Sequence, residues 1–572
     1  MKPLEQIESR EAVLAFAREE AHRYLARMLP TDRLPTVQID IVPVEGVTFD
    51  GFAVDFAPGE IRIRAAMARG ALYGVYAMLE ALGCSFLFPR SDLEVVPVLS
   101  QMPGDLSPLR CSPILGIRGL CLYALNEDHL QESLQTIDWM AKNRFNLLLA
   151  SEERPCDAVE GMHDILYGQV SAQLTGQLSK RGILLDMSEH STDVFFPREE
   201  LFWRHPEWFS LQDGVRVPYQ MCYANEEATD EYARRYAAYA AAHPEIQMLG
   251  IWPLDGGGYC TCERCRDPYT IVRAMNKVAR AVAAVRPDLI VEHLAYTPES
   301  YQVPNFPLED NMCVLMCAKT DKTARDWARH TAGQQGAFYF EYNTNDHYRW
   351  RANPWIQPEY CRAIVNRMAR MNYRGIISLF LPLNAWFVGA LNAHFLRLAY
   401  WNPVFDTDDA LSALSRTLFG PCAGQGHAAL TFLMRDVQRQ ELWQRFPHGD
   451  LDGYENEFFS GRNRALDTLH RERVHRGVLD ALRCLGEMDD ACLDARGRLC
   501  RACLSAYAHL QDLFHTLVDD YAAESGAPCI DPLLTYLDEL AVQLGPVFIS
   551  SRYARWRLIG RDNVFVDKLY DY

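Results

Sequence analysis

A chain of 572 residues with 49% hydrophobic and 23% charged side chains has a folded, globular composition and is too long for one ordinary core, so about three or four units are expected. Its formal net charge of -18 argues against a nucleic-acid or anionic-membrane partner, because either would favour a basic face. No apolar run reaches the roughly 18 residues of a membrane span.

The N-terminal stretch mixes apolar residues at helical spacing with charges and lacks the uninterrupted apolar core of a secretion signal, which predicts a cytoplasmic protein. The 17 cysteines are scattered through apparent core segments, a distribution that fits reduced thiols better than a disulfide framework. Residues 1–112 read as an N-terminal α/β domain. A helix is followed by short strands at 36–42, 51–56 and 60–63 and by a helix over 64–82, stopped at Gly83.

From 113 to 405 the pattern changes to apolar runs alternating with amphipathic helices. The runs lie at 116–123, 146–150, 183–187, 247–252, 289–294, 312–317, 337–340 and 375–381, with helices over segments such as 128–143, 170–181, 228–242 and 268–285. Eight strands in this rhythm predict a (β/α)8 TIM barrel in an α/β protein. An open doubly wound sheet is the alternative, but no glycine-rich nucleotide fingerprint follows the first strand. Residues 406–572 lose the strand signal and read as a C-terminal helical domain, beginning with a helix over 406–419.

Functional groups of such barrels gather at the C-terminal ends of the strands. There the sequence places Asp255 after the fourth run, Glu292 and Tyr296 around the fifth, Glu341 and Tyr342 after the seventh, and Asn384 and Trp386 after the eighth. Arg118 lies in the first run, His190 follows the third and Trp252 ends the fourth. Carboxylates interleaved with aromatic side chains point to sugar chemistry. Glycosidic cleavage needs an acid for the leaving oxygen and a second carboxyl to supply or stabilise the nucleophile, while aromatic faces pack on the C–H faces of sugar rings. Asp255 and Glu341 are the expected catalytic pair, as acid/base and nucleophile. Arg118, His190, Trp252, Glu292, Tyr296, Tyr342, Asn384 and Trp386 are the expected sugar-binding residues.

Cys260, Cys262 and Cys265 offer three closely spaced thiolates, but no fourth ligand is evident nearby. The cluster reads as a scaffold for the loop, with no metal and no organic cofactor expected. Two rival readings remain: a carbohydrate-binding barrel without turnover, and a zinc-dependent hydrolase using these cysteines.

Some segments resemble known families. Gly70 to Tyr76, with Leu79, Glu80 and Gly83, is similar to the N-terminal domain of α-glucuronidases and β-hexosaminidases. The segments His205-Pro206-Glu207-Trp208-Phe209, Cys222-Tyr223-Ala224-Asn225, Asp255 with Cys260-Thr261-Cys262-Glu263-Arg264-Cys265, and Leu294-Ala295-Tyr296 resemble the domain of unknown function 4838. That group includes glycoside hydrolase family 163, endo-acting β-N-acetylglucosaminidases. The resemblance, over roughly residues 60–425, implies a glycan hydrolase with a barrel active site and no organic cofactor; with the eight-strand rhythm and the rim carboxylates it makes a retaining glycoside hydrolase the expected activity. One departure stands out: Asp255 is followed by Gly256, so the adjacent Asp-Glu pair of β-hexosaminidases with substrate-assisted chemistry is missing. A substrate-assisted mechanism then needs its second carboxylate from another strand, Glu341 or Glu292.

Overall fold

The computed structural model describes residues 4–122, 130–150, 167–188, 190, 192–254, 257–317, 320–341, 356–380, 386–438, 468–523 and 531–544. The chain divides into two compact units, one drawn from 1–90, 94–341 and 367–378, the other from 91–93, 342–366 and 379–572.

The first unit begins with the helix Arg10–Met28 and strands β1 (Thr36–Ile41), β2 (Phe52–Ala57), β3 (Glu60–Ala65) and β4 (Leu109–Cys111), ordered β1-β3-β2-β4. Only β1 and β3 run parallel. The helix Ala68–Ala81 follows β3 and is apolar almost all round, as a helix enclosed by other elements must be.

Next come β5 (Ile117–Leu122), β6 (Leu147–Ala150), β7 (Leu184–Met187), a hairpin of β8 (Phe209–Gln212) and β9 (Val215–Met221), then β10 (Met248–Ile251), β11 (Ile290–Ala295), β12 (Met312–Met316), β13 (Ala337–Glu341) and β14 (Gly375–Phe380). Without the hairpin, these strands close into a barrel in the cyclic order β5-β6-β7-β10-β11-β12-β13-β14. The fold is therefore a (β/α)8 barrel, and each predicted apolar run carries one of its strands. Sequences such as Leu147-Leu148-Leu149 and Met312-Cys313-Val314-Leu315-Met316 are apolar on both faces because both faces are covered, by the lumen on one side and by helices on the other.

Helices return to strands through a repeated stop. After the helix Tyr167–Arg181, Gly182 takes φ +65°, and Ile183 N–H reaches back to Leu178 O at 3.0 Å. Only glycine adopts that conformation without strain. Arg144 and Asn372 take the same left-handed φ before β6 and β14, at +63° and +60°. The Arg144 guanidinium is tied to Glu80, which adds an ion pair at this strained position.

Under the barrel, at the N-terminal ends of its strands, lies a closed ionic cluster. Asp50 Oδ2 accepts from Arg118 Nη2 at 2.7 Å, Arg69 Nε at 2.9 Å and Asn146 Nδ2 at 3.0 Å. Arg118 also donates to the carbonyls of Arg144, Leu115 and Gly116, and Arg69 to those of Gly182 and Ile7. All four side chains of the cluster are fully buried. Burial alone would raise the Asp50 carboxyl, but the guanidiniums of Arg118 and Arg69 hold it below its ordinary value. The cluster joins the N-terminal sheet to β5 and β6. Arg118, expected among the sugar-binding residues, stands at the second position of β5, toward the N-terminal end of the strand, with its donors turned onto carbonyls and a carboxylate.

The second unit contains the helices Trp386–Trp401, Thr407–Phe419, Ala423–Phe432, Thr468–Gly486, Ala495–Ala523 and Asp531–Leu544. Asp406 caps Thr407–Phe419 by accepting from the N–H groups of Asp408 and Asp409, as its sequence position predicts. Among the described residues no helix is long and apolar enough to cross a membrane.

Candidate active site

Strand pairing fixes which side chains enter the barrel. Directly paired residues share a face, so the contacts linking Cys121, Leu149, Asp186, Met248 and Ile290 place all five on one side. Gly250, Glu292 and Cys313 form a second such row, and Leu294, Leu315, Phe338 and Gly375 a third. His293 and Tyr339, of opposite parity, meet Trp327 and Tyr373 on the helical side. The rows therefore line the lumen, where among the described residues two carboxyl groups are fully buried: Asp186 and Glu292.

Glu292 is held from the next strand. Trp252, just past β10, donates its indole Nε1–H to Glu292 Oε1 at 2.8 Å and sets its ring 6.0 Å from Phe340, edge to face. The indole reaches this position across Gly250, where a Cβ would stand 2.3 Å from Ser188 Oγ and 2.8 Å from the indole nitrogen. No residue with a side chain fits there. Toward the mouth, His190 lies 5.4 Å from Trp252 and 6.0 Å from Tyr296, ring centre to ring centre. Its Nδ1 is 2.6 Å from Pro253 O. A carbonyl only accepts, so Nδ1 carries a proton, which leaves Nε2 as the ring nitrogen that can meet a further partner. His190 and Tyr296 are part-exposed, unlike the groups beneath them.

Asp186 is deeper. Burial pushes its carboxyl up to about 7, partly opposed by a hydrogen bond from Ser188 Oγ. The folded chain therefore holds this acid neutral well above the pH at which the unfolded chain ionises it. Its stability penalty is absent below about pH 4, grows as pH rises, and is complete above about pH 7, at a cost of about 4 kcal/mol. In Asp186→Asn the fall in unfolding midpoint between pH 4 and 7 is expected to shrink by a corresponding amount. A slope equal to that of the unsubstituted chain, measured by thermal melts across this range, would remove the assignment.

Asp255 itself, with Gly256, lies outside the described residues, but the chain on both sides is anchored. Gln220, fully buried on β9, donates from Nε2 to Leu254 O at 2.6 Å and to Gly257 O at 3.0 Å, gripping the loop on either side of the aspartate. Farther along, Thr297 Oγ1 donates to Tyr259 Oη at 3.1 Å, and Gln212 Nε2 donates to Tyr259 O. The β8-β9 hairpin thus serves as a brace for the loop after β10. Sequence reasoning missed Gln220, since nothing in the local pattern at 215–221 distinguishes a brace from an ordinary strand.

Glu341 is the last residue of β13, fully buried and in register with Ser378. Its neighbour Phe340 is in the lumen row, so strand alternation turns the Glu341 Cβ to the opposite side. Tyr342 and Asn384 lie outside the described residues, and so does the side chain of Trp386, whose backbone opens the helix Trp386–Trp401. Among the expected residues, then, Trp252, Glu292, His190 and Tyr296 come together in one place.

The three cysteines of the loop after β10 do not stand alone. Cys222, just past β9, joins Cys260, Cys262 and Cys265, and all four sulfurs lie within 4.8 Å of one another. The fourth thiol was legible only as part of the resembling segment Cys222-Tyr223-Ala224-Asn225, 38 residues before Cys260.

Residues 136–376 match the family model described as Domain of unknown function (DUF4838). Among curated proteins none matches the chain in sequence. Solved structures of similar fold include a family GH115 4-O-methyl-α-glucuronidase with specificity for decorated arabinogalactans, at 11% identity over 96% of this chain and 77% of that one, TM-score 0.60. A GH138 enzyme targeting pectin rhamnogalacturonan II matches at 13% identity over 98% and 77%, TM-score 0.56. The GH89 protein from Clostridium perfringens, solved with its substrate GlcNAc-α-1,4-galactose, matches at 11% over 89% and 62%, TM-score 0.57. At these identities the likeness is one of fold.

Proposed function

We propose that this DUF4838-bearing chain is a retaining glycoside hydrolase acting on a glycan, with β-N-acetylglucosaminides as the leading substrate class. The observation that carries the reading is the buried Glu292 carboxylate, oriented by the Trp252 indole beneath a partly open mouth lined by His190 and Tyr296. A carboxylate with aromatic faces above it is what a sugar-cleaving site requires. The similar fold of several glycoside hydrolases supports the same class.

Asp255 is the general acid/base, on the loop braced by Gln220. The second carboxylate, as nucleophile or as the group orienting an acetamido oxygen, is Glu292, because it lies in the lumen; Glu341, the expectation from strand order, is the alternative. Trp252, Tyr296 and His190 hold the sugar, His190 by a hydrogen bond between Nε2 and a sugar hydroxyl.

The reading is tested on a panel of aryl glycosides and N-glycans with the full chain. Turnover of at least one member is expected, and glycan binding without turnover would favour a non-catalytic barrel instead. On the substrate found, Glu292→Gln is expected to lower kcat by about 10³-fold or more, and Glu341→Gln by less than about tenfold. The reverse order would transfer the role to Glu341.

A further inference from the structure

We propose that Cys222, Cys260, Cys262 and Cys265 bind one structural zinc ion, which fastens the loop carrying Asp255 to the β8-β9 hairpin. The sulfur positions carry the argument. Cys222 Sγ is 3.5 Å from Cys260 Sγ, 3.9 Å from Cys262 Sγ and 3.7 Å from Cys265 Sγ. A tetrahedron of thiolates with zinc–sulfur bonds of about 2.3 Å has edges of about 3.8 Å. A disulfide needs about 2.05 Å, and all four residues are free thiols. The distances therefore fit four ligands around a common centre and no covalent pairing.

The surroundings are those of thiolates. Leu211 N–H points at Cys260 Sγ at 3.3 Å, and Arg216 Nη1 lies 3.6 Å from the same sulfur. Four thiolates around Zn2+ carry a net charge of -2, which the N–H group and the guanidinium offset. The ligands are also distributed as in a structural site. Cys260, Cys262 and Cys265 come from a short loop that runs into the single helical turn Glu263–Arg266, while Cys222 comes from a separate segment, just past the end of β9. Four protein ligands leave no position for water or substrate, so the ion would hold shape and not perform hydrolysis.

The consequence is local. Leu211 O accepts from Thr261 N–H at 2.9 Å and Thr261 Oγ1 at 2.6 Å, and Gln220 grips Leu254 and Gly257. Zinc would close this brace at its outer end with bonds much stronger than hydrogen bonds. The loop from Trp252 to Cys265 would then have an anchor at each end, with Asp255 between them.

The test needs no substrate, so it stands or falls apart from the hydrolase reading. Metal analysis of the full chain purified under reducing conditions is expected to give about one zinc per chain, with Cys222→Ser and Cys265→Ser each losing it and Cys313→Ala, in the barrel core, retaining it. Because a serine variant can fail by misfolding, the unsubstituted chain supplies the second measurement. After zinc removal and reduction it is titrated with Co2+, and the intense thiolate-to-cobalt charge-transfer band of a tetrahedral four-sulfur site is expected to saturate at about one equivalent. Absence of zinc together with absence of that band would overturn the proposal. So would iron in place of zinc, or disulfides among the four cysteines in the purified protein.

Discussion

Asp255→Asn is expected to lower kcat/KM by about 10² to 10⁴-fold on a substrate with a poor leaving group, and much less on an activated aryl glycoside. The difference between substrates is the informative part. A general acid assists departure of the glycosidic oxygen, and a phenol of low pKa departs without help. The loss corresponds to about 3–5 kcal/mol of transition-state stabilisation. The basic limb of the pH profile should also vanish, because asparagine has no proton to lose. Equal losses on both substrate types, with the basic limb intact, would assign Asp255 to binding and leave the acid role to another group. Gln220→Ala offers a graded companion: it releases Leu254 and Gly257, so kcat should fall while the ionisations stay in place.

The fold was far more legible than the site. Eight buried strands in a closed barrel must be apolar on both faces, and runs such as that at 312–316 declare themselves without any partner in view. Turn chemistry was also local: Asp406 and Gly83 act through backbone groups a few residues away. The hairpin at 209–221 escaped because its burial alternates irregularly and its work is done on a loop more than 30 residues later. Site residues depend on which face of a strand points inward, and that depends on register. Glu292 and His293 are adjacent in sequence, yet one accepts the Trp252 indole in the lumen while the other, pushed down to about 4 by burial, bonds Ser300 O on the helical side. Arg118 is a similar case, since its donors meet Asp50 and backbone carbonyls. A charged residue in an apolar run signals a buried polar partner, but nothing in the run tells whether that partner is a ligand or another part of the chain.

That partner is Asp50, and the second large effect is expected there. Asp50→Asn removes the carboxylate shared by Arg118 and Arg69, leaving two buried guanidiniums without their counter-charge. Breaking a buried pair in this way costs about 3–5 kcal/mol, because the desolvation already incurred by the remaining charge is no longer offset. The carboxyl is held below its ordinary value, so its contribution is present above about pH 4 and is lost as pH falls through the folded-state value. The unsubstituted chain should therefore lose its advantage over Asp50→Asn as the solution is acidified. Arg118→Met should also destabilise, though less, since Asp50 keeps Arg69 at 2.9 Å and Asn146 at 3.0 Å. The two substitutions should be markedly non-additive, as they remove members of one network. KM decides between the structural and the sugar-binding roles of Arg118. With folded Arg118→Met at a temperature well below its unfolding midpoint, KM is expected to match that of the unsubstituted chain, and a tenfold rise without loss of stability would return Arg118 to the sugar site.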